Sequence, residues 1–169
     1  SDVVIEGVEA CRMRRRRPGA DEAEDPRAWL DLFDKATWRE YGCGIWYERS
    51  SGGAIVHCRA RESQEGINLD KSDGVLVLGN DCGRNAGWGV HLDRASECAV
   101  VSNACRRCQY PAPDSLSAGV VLNNGCHDNR VLANDLTHCT RGVLVAGDYN
   151  EQSNGNLVAH NDASHALLA

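Results

Sequence analysis

Three short segments of the sequence each place an acidic residue directly before a basic one. The three pairs are Glu48-Arg49, Asp70-Lys71 and Asp93-Arg94. Each pair follows a glycine at the same distance, so the three segments are expected to be equivalent strands. Stacked strands lie about 4.8 Å apart, which would place acids of neighbouring segments roughly 5 Å apart. Carboxylate pairs at that distance act on glycosidic bonds with retention, and pairs at nearly twice that distance act with inversion. Crowding of like charges also raises the pKa of at least one carboxyl group, which suits a general acid.

Side chains two positions after each glycine extend this candidate site. In a strand they point away from the apolar residues on either side of them, and in the three segments they are Trp46, Asn68 and His91. An indole can stack on a sugar ring, and an imidazole can move protons near neutral pH. The predicted catalytic residues are therefore Asp70, Asp93, His91, Lys71 and Arg94, and the predicted substrate-binding residues are Trp46, Glu48, Arg49 and Asn68.

The same three pairs have a simpler interpretation. Acids and bases that alternate on a solvated turn form a charge-balanced ladder, in which each pair contributes only about 0 to 1 kcal/mol and has no chemical role. The residue types alone leave both interpretations open.

The nine cysteines raise a separate possibility. Cys105 and Cys108 have the spacing of a metal-binding pair, and Cys126-His127 and His138-Cys139 follow some 20 to 30 residues later. However, Cys105 falls in a column of inward apolar residues, which favours buried, stacked thiols over a zinc or copper site. A disulfide between Cys108 and Cys139 is also compatible with the expected geometry.

An internal repeat determines which elements position these residues. A glycine followed by an apolar-x-apolar pattern recurs at Gly44, Gly66, Gly89, Gly119 and Gly142, with spacings of 22, 23, 30 and 23 residues. A second apolar run in each repeat ends on one fixed position, occupied in turn by Cys58, Asn80, Asn103, Asn134 and Asn161. Alternation with period two, interrupted by Gly, Asn, Asp and Ser, excludes helices from this region. The pattern predicts an all-β, right-handed parallel β-helix of about five coils, with three short strands per coil and a ladder of stacked asparagines.

Two other repeat folds were weighed against this prediction. Leucine-rich repeats share the period and the asparagine, but the second half of each repeat here is another strand where that fold has a Leu-rich return. A left-handed β-helix needs a six-residue repeat, which the sequence lacks.

The N-terminal part of the chain is less regular. Residues 1–11 resemble the second half of a preceding coil, and residues 12–41 are an expected insertion before the regular coils at 42–166. Within the insertion, Pro26 and the apolar spacing from Trp29 to Ala36 predict one amphipathic helix at about 26–39. We expect residues 1–169 to form a single β-helix domain, part of a longer solenoid, whose uncapped coil ends would allow a homo-oligomer.

The net charge of −6 argues against affinity for nucleic acid or an anionic membrane. The basic run at 12–17 is followed at once by the acidic run at 21–25, which indicates a solvated loop. No apolar stretch is long enough to span a membrane, and the given sequence has no signal peptide.

The repeats over residues 42–166 resemble the right-handed parallel β-helix superfamily, the pectate-lyase-like proteins. The resemblance rests on "GINL…VLGNDC", "GVHL…VVSNAC", "GVVL…VLANDL" and "GVLV…LVAHNDA". It is closest to a loosely defined repeat group that includes secreted carbohydrate-active enzymes and a periplasmic copper-maturation protein. None of the catalytic signatures of the enzyme families is matched.

What the resemblance implies is a secreted or periplasmic protein that binds a polysaccharide on the outer face of the first strand of each coil. A polysaccharide lyase or glycoside hydrolase is the expected activity. In a lyase of this kind, an Asp pair would hold Ca²⁺ against a uronate while Arg or Lys removes the C5 proton. Two alternatives remain: a non-catalytic structural or binding solenoid, and metal delivery of the copper-maturation type.

Overall fold

The chain winds into a parallel β-helix in the computed structural model, which describes residues 3–11, 42–109, 116–147 and 151–168. Every regular element in these ranges is a β-strand, and the strands form two parallel sheets. The sheet of short strands contains β1 (Val4–Glu6), β3 (Ala54–Val56), β5 (Leu76–Leu78), β7 (Ala99–Val101), β9 (Arg130–Leu132) and β11 (Leu157–Ala159). The sheet of longer strands contains β2 (Cys43–Glu48), β4 (Glu65–Asp70), β6 (Trp88–Asp93), β8 (Ala118–Asn123) and β10 (Val143–Val145).

The register between coils is the one that the repeat predicts. Along the longer sheet the paired residues are Ile45, Ile67, Val90, Val120 and Val143. Along the shorter sheet Ile5 pairs with Ile55, so residues 3–11 do belong to a preceding coil. The coils stack in sequence order, and the central interior residues Ile67, Val90 and Val120 have no exposed surface. The β-helix prediction is confirmed.

The repeated glycine marks a place where the interior has no room for a side chain. A Cβ on Gly89 would lie 2.6 Å from the Cβ of Cys105, and one on Gly119 would lie 2.9 Å from Cδ2 of Leu136. In both of these coils the inward residue of the next corner already fills that space. Glycine therefore opens every coil for reasons of packing.

The predicted asparagine ladder is also confirmed. The Nδ2 atoms of Asn80, Asn103 and Asn134 donate to the Oδ1 atoms of Asn103, Asn134 and Asn161 at 2.9, 3.0 and 2.9 Å. Each of these oxygens also accepts the backbone N–H of the asparagine one coil away. A second, shorter ladder, which the sequence reasoning missed, joins Asn129 to Asn156 at 3.0 Å.

The corners of the coils use residues with a left-handed backbone. The position before the asparagine ladder has a positive φ in every coil, at His57, Gly79, Ser102, Ala133 and His160. A second corner follows the longer strands, where Arg49, Lys71 and Arg94 have φ angles of 49°, 49° and 51°. The chain therefore turns directly after each acid of the three acid–base pairs.

One detail of the prediction was wrong. The third expected strand of each coil is a single bridged residue, and the bridges run from Arg59 to Asp81, Ala104, Asp135 and Asp162. In one coil this bridged residue, Asp81, lies in a short segment between the left-handed residues Gly79 and Arg84, so the chain turns on both sides of it. The helix predicted at about 26–39 lies outside the described residues. In the part of the chain that the structure describes, no helix has the length and apolar character needed to cross a membrane.

Candidate functional site

The three acid–base pairs stack on consecutive coils and form one continuous column, here called the acid–base corner (Glu48, Arg49, Asp70, Lys71, Asp93 and Arg94). Glu48 is in register with Asp70, and Asp70 with Asp93. Asn123 continues the acid position on the next coil. The backbone holds the corner together as well, because the N–H groups of Arg49 and Lys71 donate to the backbone carbonyls of Asp70 and Asp93, one coil away, at 2.8 Å.

Each base of the corner lies beside the acid that precedes it. The distances are 3.5 Å from Arg49 Nε to Glu48 Oε1, 3.8 Å from Lys71 Nζ to Asp70 Oδ1 and 3.8 Å from Arg94 Nε to Asp93 Oδ1. The acids become less exposed along the column, since the side chain of Glu48 is 46% exposed, that of Asp70 11% and that of Asp93 4%. The bases remain partly or largely exposed. The corner therefore presents cations at the surface above progressively buried carboxylates.

The two buried acids have different surroundings. Asp93 Oδ1 accepts a hydrogen bond from Asn124 Nδ2 at 3.1 Å and also faces Arg94. Asp70 Oδ1 is buried and has no hydrogen-bond donor, and the ammonium group of Lys71 remains 3.8 Å away. When two neighbouring carboxyl groups lie in different environments, one can serve as a general acid while the other stays ionised.

A polar groove of about 760 Å³ adjoins the end of the corner. It is lined by Arg94, Asn124, Gly125, His127, Glu151, Gln152 and Asn154. Arg94 connects the two, because its Nε donates to Glu151 Oε2 at 3.1 Å. Partial burial disfavours the charged form of Arg94, but the hydrogen bond to Glu151 and the charge of Asp93 outweigh it and raise the pKa of the guanidinium. Arg94 thus belongs to both the corner and the groove.

The groove residues were missed by the sequence reasoning. His127 and Asn154 are in register with Asp73 and Ser96, in the bridge column that follows the corner. Extending the repeat columns past the strand end would have found these two residues. Glu151 meets Arg94 across 57 residues of sequence, and no spacing signal marks it.

The outward column of the longer sheet stacks in the predicted order, but the residues in its middle are buried. Trp46 is in register with Asn68, and Asn68 with His91. Trp46 is 38% exposed, whereas Asn68 and His91 are buried. The expectation of an open face along this column therefore fits Trp46 but not the other two residues, which reach no solvent in this structure.

A buried polar cluster surrounds these two residues. Asn68 Nδ2 donates to Glu65 Oε2 at 2.6 Å and lies 3.1 Å from His91 Nδ1. The same ring nitrogen is 3.5 Å from Glu65 Oε2, and the Trp88 ring lies 4.4 Å from the imidazole, measured between centroids. The cluster links two coils by side-chain contacts. It also places Glu65, an acid that the sequence reasoning did not select, next to His91.

Glu65 was missed because strict alternation fails at Gly66. Counting back from Ile67 and Leu69 would put Glu65 on the interior side of the strand. Its carboxylate instead contacts Asn68 and His91 on the outer side. A Cβ on Gly66 would lie 2.7 Å from Nδ2 of the buried Asn85, so the strand has no room for a side chain at this point.

The cysteines fill the interior as thiols. All nine lie among the described residues, none is in a disulfide, and seven are buried. Cys108 Sγ donates a hydrogen bond to the backbone carbonyl of Cys82 at 3.4 Å, and Cys139 Sγ donates one to that of Cys105 at 2.9 Å. The prediction of buried, stacked thiols is confirmed. In the described ranges, His, Cys, Asp and Glu side chains do not come together in any group of three or more that could hold a metal ion.

Comparison with known proteins supports the fold and adds no activity. The family model described as "Right handed beta helix region" matches residues 32–163. None of the curated proteins matches the sequence.

Proposed function

The chain belongs to the right-handed β-helix family, and we propose that it is a carbohydrate-active member that binds a polysaccharide along the acid–base corner and the adjoining groove. The observation that carries this proposal is the stacking of three acid–base pairs in register, leading through Arg94 into a polar groove. A column of that kind offers the same set of polar groups once per coil. A ligand made of repeating polar units matches such a surface.

The polar groups suit the hydroxyl groups of sugars. Carboxylates accept hydrogen bonds from hydroxyls, the guanidinium of Arg94 donates them, and the amides of Asn124 and Gln152 do both. Trp46 lies two residues before Glu48 and is partly exposed, so its indole can stack on the apolar face of a sugar ring. The groove volume lies within the usual range of small-molecule sites.

The reacting groups in this proposal are Asp70 and Asp93. They occupy paired positions on adjacent strands, whose spacing of about 4.8 Å is close to the carboxyl separation used by glycosidases that retain configuration. Asp93 is oriented by Asn124 and Arg94, while Asp70 keeps an oxygen without a donor. Lys71 and Arg94 would neutralise charge that develops near the cleaved bond. His91 and Asn68 are buried and act in this proposal through packing beneath the column.

The experiment is a screen for shortened or unsaturated products after incubation of the native protein with acidic and neutral polysaccharides. Asp70→Asn and Asp93→Asn keep the shape of each side chain and should each lower product formation at least about a hundredfold, as expected for loss of an essential acid or base. Asp73→Asn, in the next bridge column, is the matched control. Product formation that survives both substitutions would remove this pair from the chemistry.

A non-catalytic solenoid is the second candidate. It is favoured by the low exposure of Asp93 and its pairing with Asn124 and Arg94, since a structural charge ladder needs no open carboxylate. Polysaccharide binding without any product, unchanged by Asp70→Asn, would support this candidate over the enzyme.

A location outside the cytoplasm accompanies the proposal, because polysaccharides of this kind are extracellular or periplasmic. Fractionation of the source cells with an antibody against the chain tests this location, and recovery in the cytoplasmic fraction alone would contradict it.

A further inference from the structure

The charges of the acid–base corner indicate which class of polysaccharide it accepts. Resting on the proposed function, we infer that the ligand is a neutral, hydroxyl-rich polysaccharide and that polyuronates are disfavoured. The sequence alone left acidic and neutral polysaccharides equally open.

Every cation of the corner already faces a carboxylate. Arg49 lies beside Glu48 and Lys71 beside Asp70. Arg94 faces two acids, Asp93 at 3.8 Å and Glu151 at 3.1 Å. The corner and its groove partner thus hold four carboxylates against three cations. A uronate would therefore reach each base beside a carboxylate that already offsets the charge of that base.

The net charge of the chain also disfavours polyuronates. The whole chain carries a net charge of −6, so a polyanion approaches against a repulsive field. Each exposed ion pair is individually weak, about 0 to 1 kcal/mol, but a polyuronate adds one negative charge per sugar along a surface that is already acidic. Repulsion would therefore grow with the length of chain bound.

A neutral chain meets no such penalty. Its hydroxyls can donate to the oxygens of Glu48, Asp70 and Glu151 without displacing their partners, because a carboxylate accepts several hydrogen bonds. The column extends over three coil steps from Glu48 to Asn123, about 14 Å at 4.8 Å per step, which is longer than one sugar. Trp46 stands at the more exposed end of this column, where a ring can stack on it.

Calcium could in principle reverse this preference by bridging a uronate to Asp70 and Asp93. One oxygen of Asp93 is occupied by Asn124 and Arg94, however, and the described residues contain no group of three acids, histidines or cysteines placed around a common point. A calcium bridge would have to draw most of its ligands from the polysaccharide and water.

The test is equilibrium binding of the whole chain to neutral oligosaccharides (cellohexaose, xylohexaose and mannohexaose) and to oligogalacturonate and oligoalginate, at low ionic strength, with and without added calcium. We expect at least one neutral oligosaccharide to bind at least tenfold more tightly than either uronate oligomer, and Trp46→Ala to weaken it about tenfold, which is 1.4 kcal/mol. Glu151→Gln, at a residue whose side chain is 47% exposed, frees Arg94 of one acid and should raise the affinity for the uronate oligomers. Glu6→Gln removes one charge from the other sheet and is the matched control.

The possible failures are distinguishable. Tighter binding of a uronate oligomer by the native protein, with or without calcium, would overturn the preference for neutral ligands and leave the proposed polysaccharide binding intact. If Glu151→Gln and Glu6→Gln raised the affinity for uronate oligomers equally, the pairing of Arg94 with Glu151 would have no role in excluding uronates. Binding of neither class would overturn the proposed function together with this inference.

Discussion

Asp70 and Asp93 occupy the same strand position on neighbouring coils, yet only Asp93 receives a hydrogen bond from a side chain, that of Asn124. The two acids are separated by 23 residues of sequence and by one strand spacing in space, about 4.8 Å. Their basic neighbours Lys71 and Arg94 both have left-handed backbones, so the corner has the same shape on both coils. The difference between the acids therefore comes from the coil above, where the chain changes from acid–base pairs to asparagines.

The asparagine ladder is expected to be a main source of stability. Asn103 is buried, donates to Asn134 and to the carbonyl of Val77, and accepts from Asn80. Asn103→Ala leaves several of these groups without partners and should lower the free energy of unfolding by about 3 kcal/mol. Denaturant unfolding measures this loss. The control is Asn161→Ala at the last described coil, where a smaller loss of unfolding free energy is expected. An equal loss would show that an asparagine inside the ladder contributes no more stability than one at its end.

The thiols should differ sharply in reactivity. Burial, followed by the charge of Glu65, raises the pKa of Cys43 well above its ordinary value, and burial raises that of Cys98 to about 11. Seven cysteines are buried, and Cys11 and Cys43 are partly exposed. The raised pKa of Cys43 disfavours its reactive thiolate, so Cys11 is the thiol expected to react readily. Titration with a thiol reagent should show one fast group in the native protein and nine after unfolding. Several fast groups in the native protein would contradict the packed interior.

Stability should fall at low pH partly through Asp135. Burial opposes ionisation of this carboxyl, but hydrogen bonds from Thr137 and the charge of Arg106 outweigh it and hold the pKa below the ordinary value of 3.8. Because the folded pKa is the lower one, the stabilisation is present above about pH 4 and is lost as the pH falls through the folded pKa. Asp135→Asn should therefore reduce stability near neutrality and flatten its dependence on pH below 4. Thermal unfolding across this range, with Asp128→Asn as the control, measures the difference.

The repeat made most of the fold predictable. The glycine column and most of the asparagine column repeat one residue type at a fixed place in the coil, so the register of the coils could be read from their spacing. Gly89 and Asn103 illustrate both cases, the first because a Cβ would meet Cys105 and the second because its amide joins two neighbouring coils.

The candidate site was less predictable, for physical reasons that differ between residues. Alternation identifies an outward side chain but not what covers it, and so Asn68 and His91 were expected at an open surface where the structure buries them. Glu65 was missed because the strand departs from alternation at Gly66. Glu151 was missed because its contact with Arg94 depends on the path of a distant segment.

The most direct measurement of the central claim is affinity electrophoresis of Arg94→Ala and Arg107→Ala in gels that contain a polysaccharide retarding the native protein. Both arginines have a left-handed backbone, with φ angles of 51° and 57°, so the two substitutions make similar demands on the fold. Arg94 lines the groove, whereas Arg107 lies at a different corner. The account predicts that Arg94→Ala weakens binding about tenfold and that Arg107→Ala leaves it unchanged. Equal retardation of both variants and the native protein would contradict polysaccharide binding at the acid–base corner.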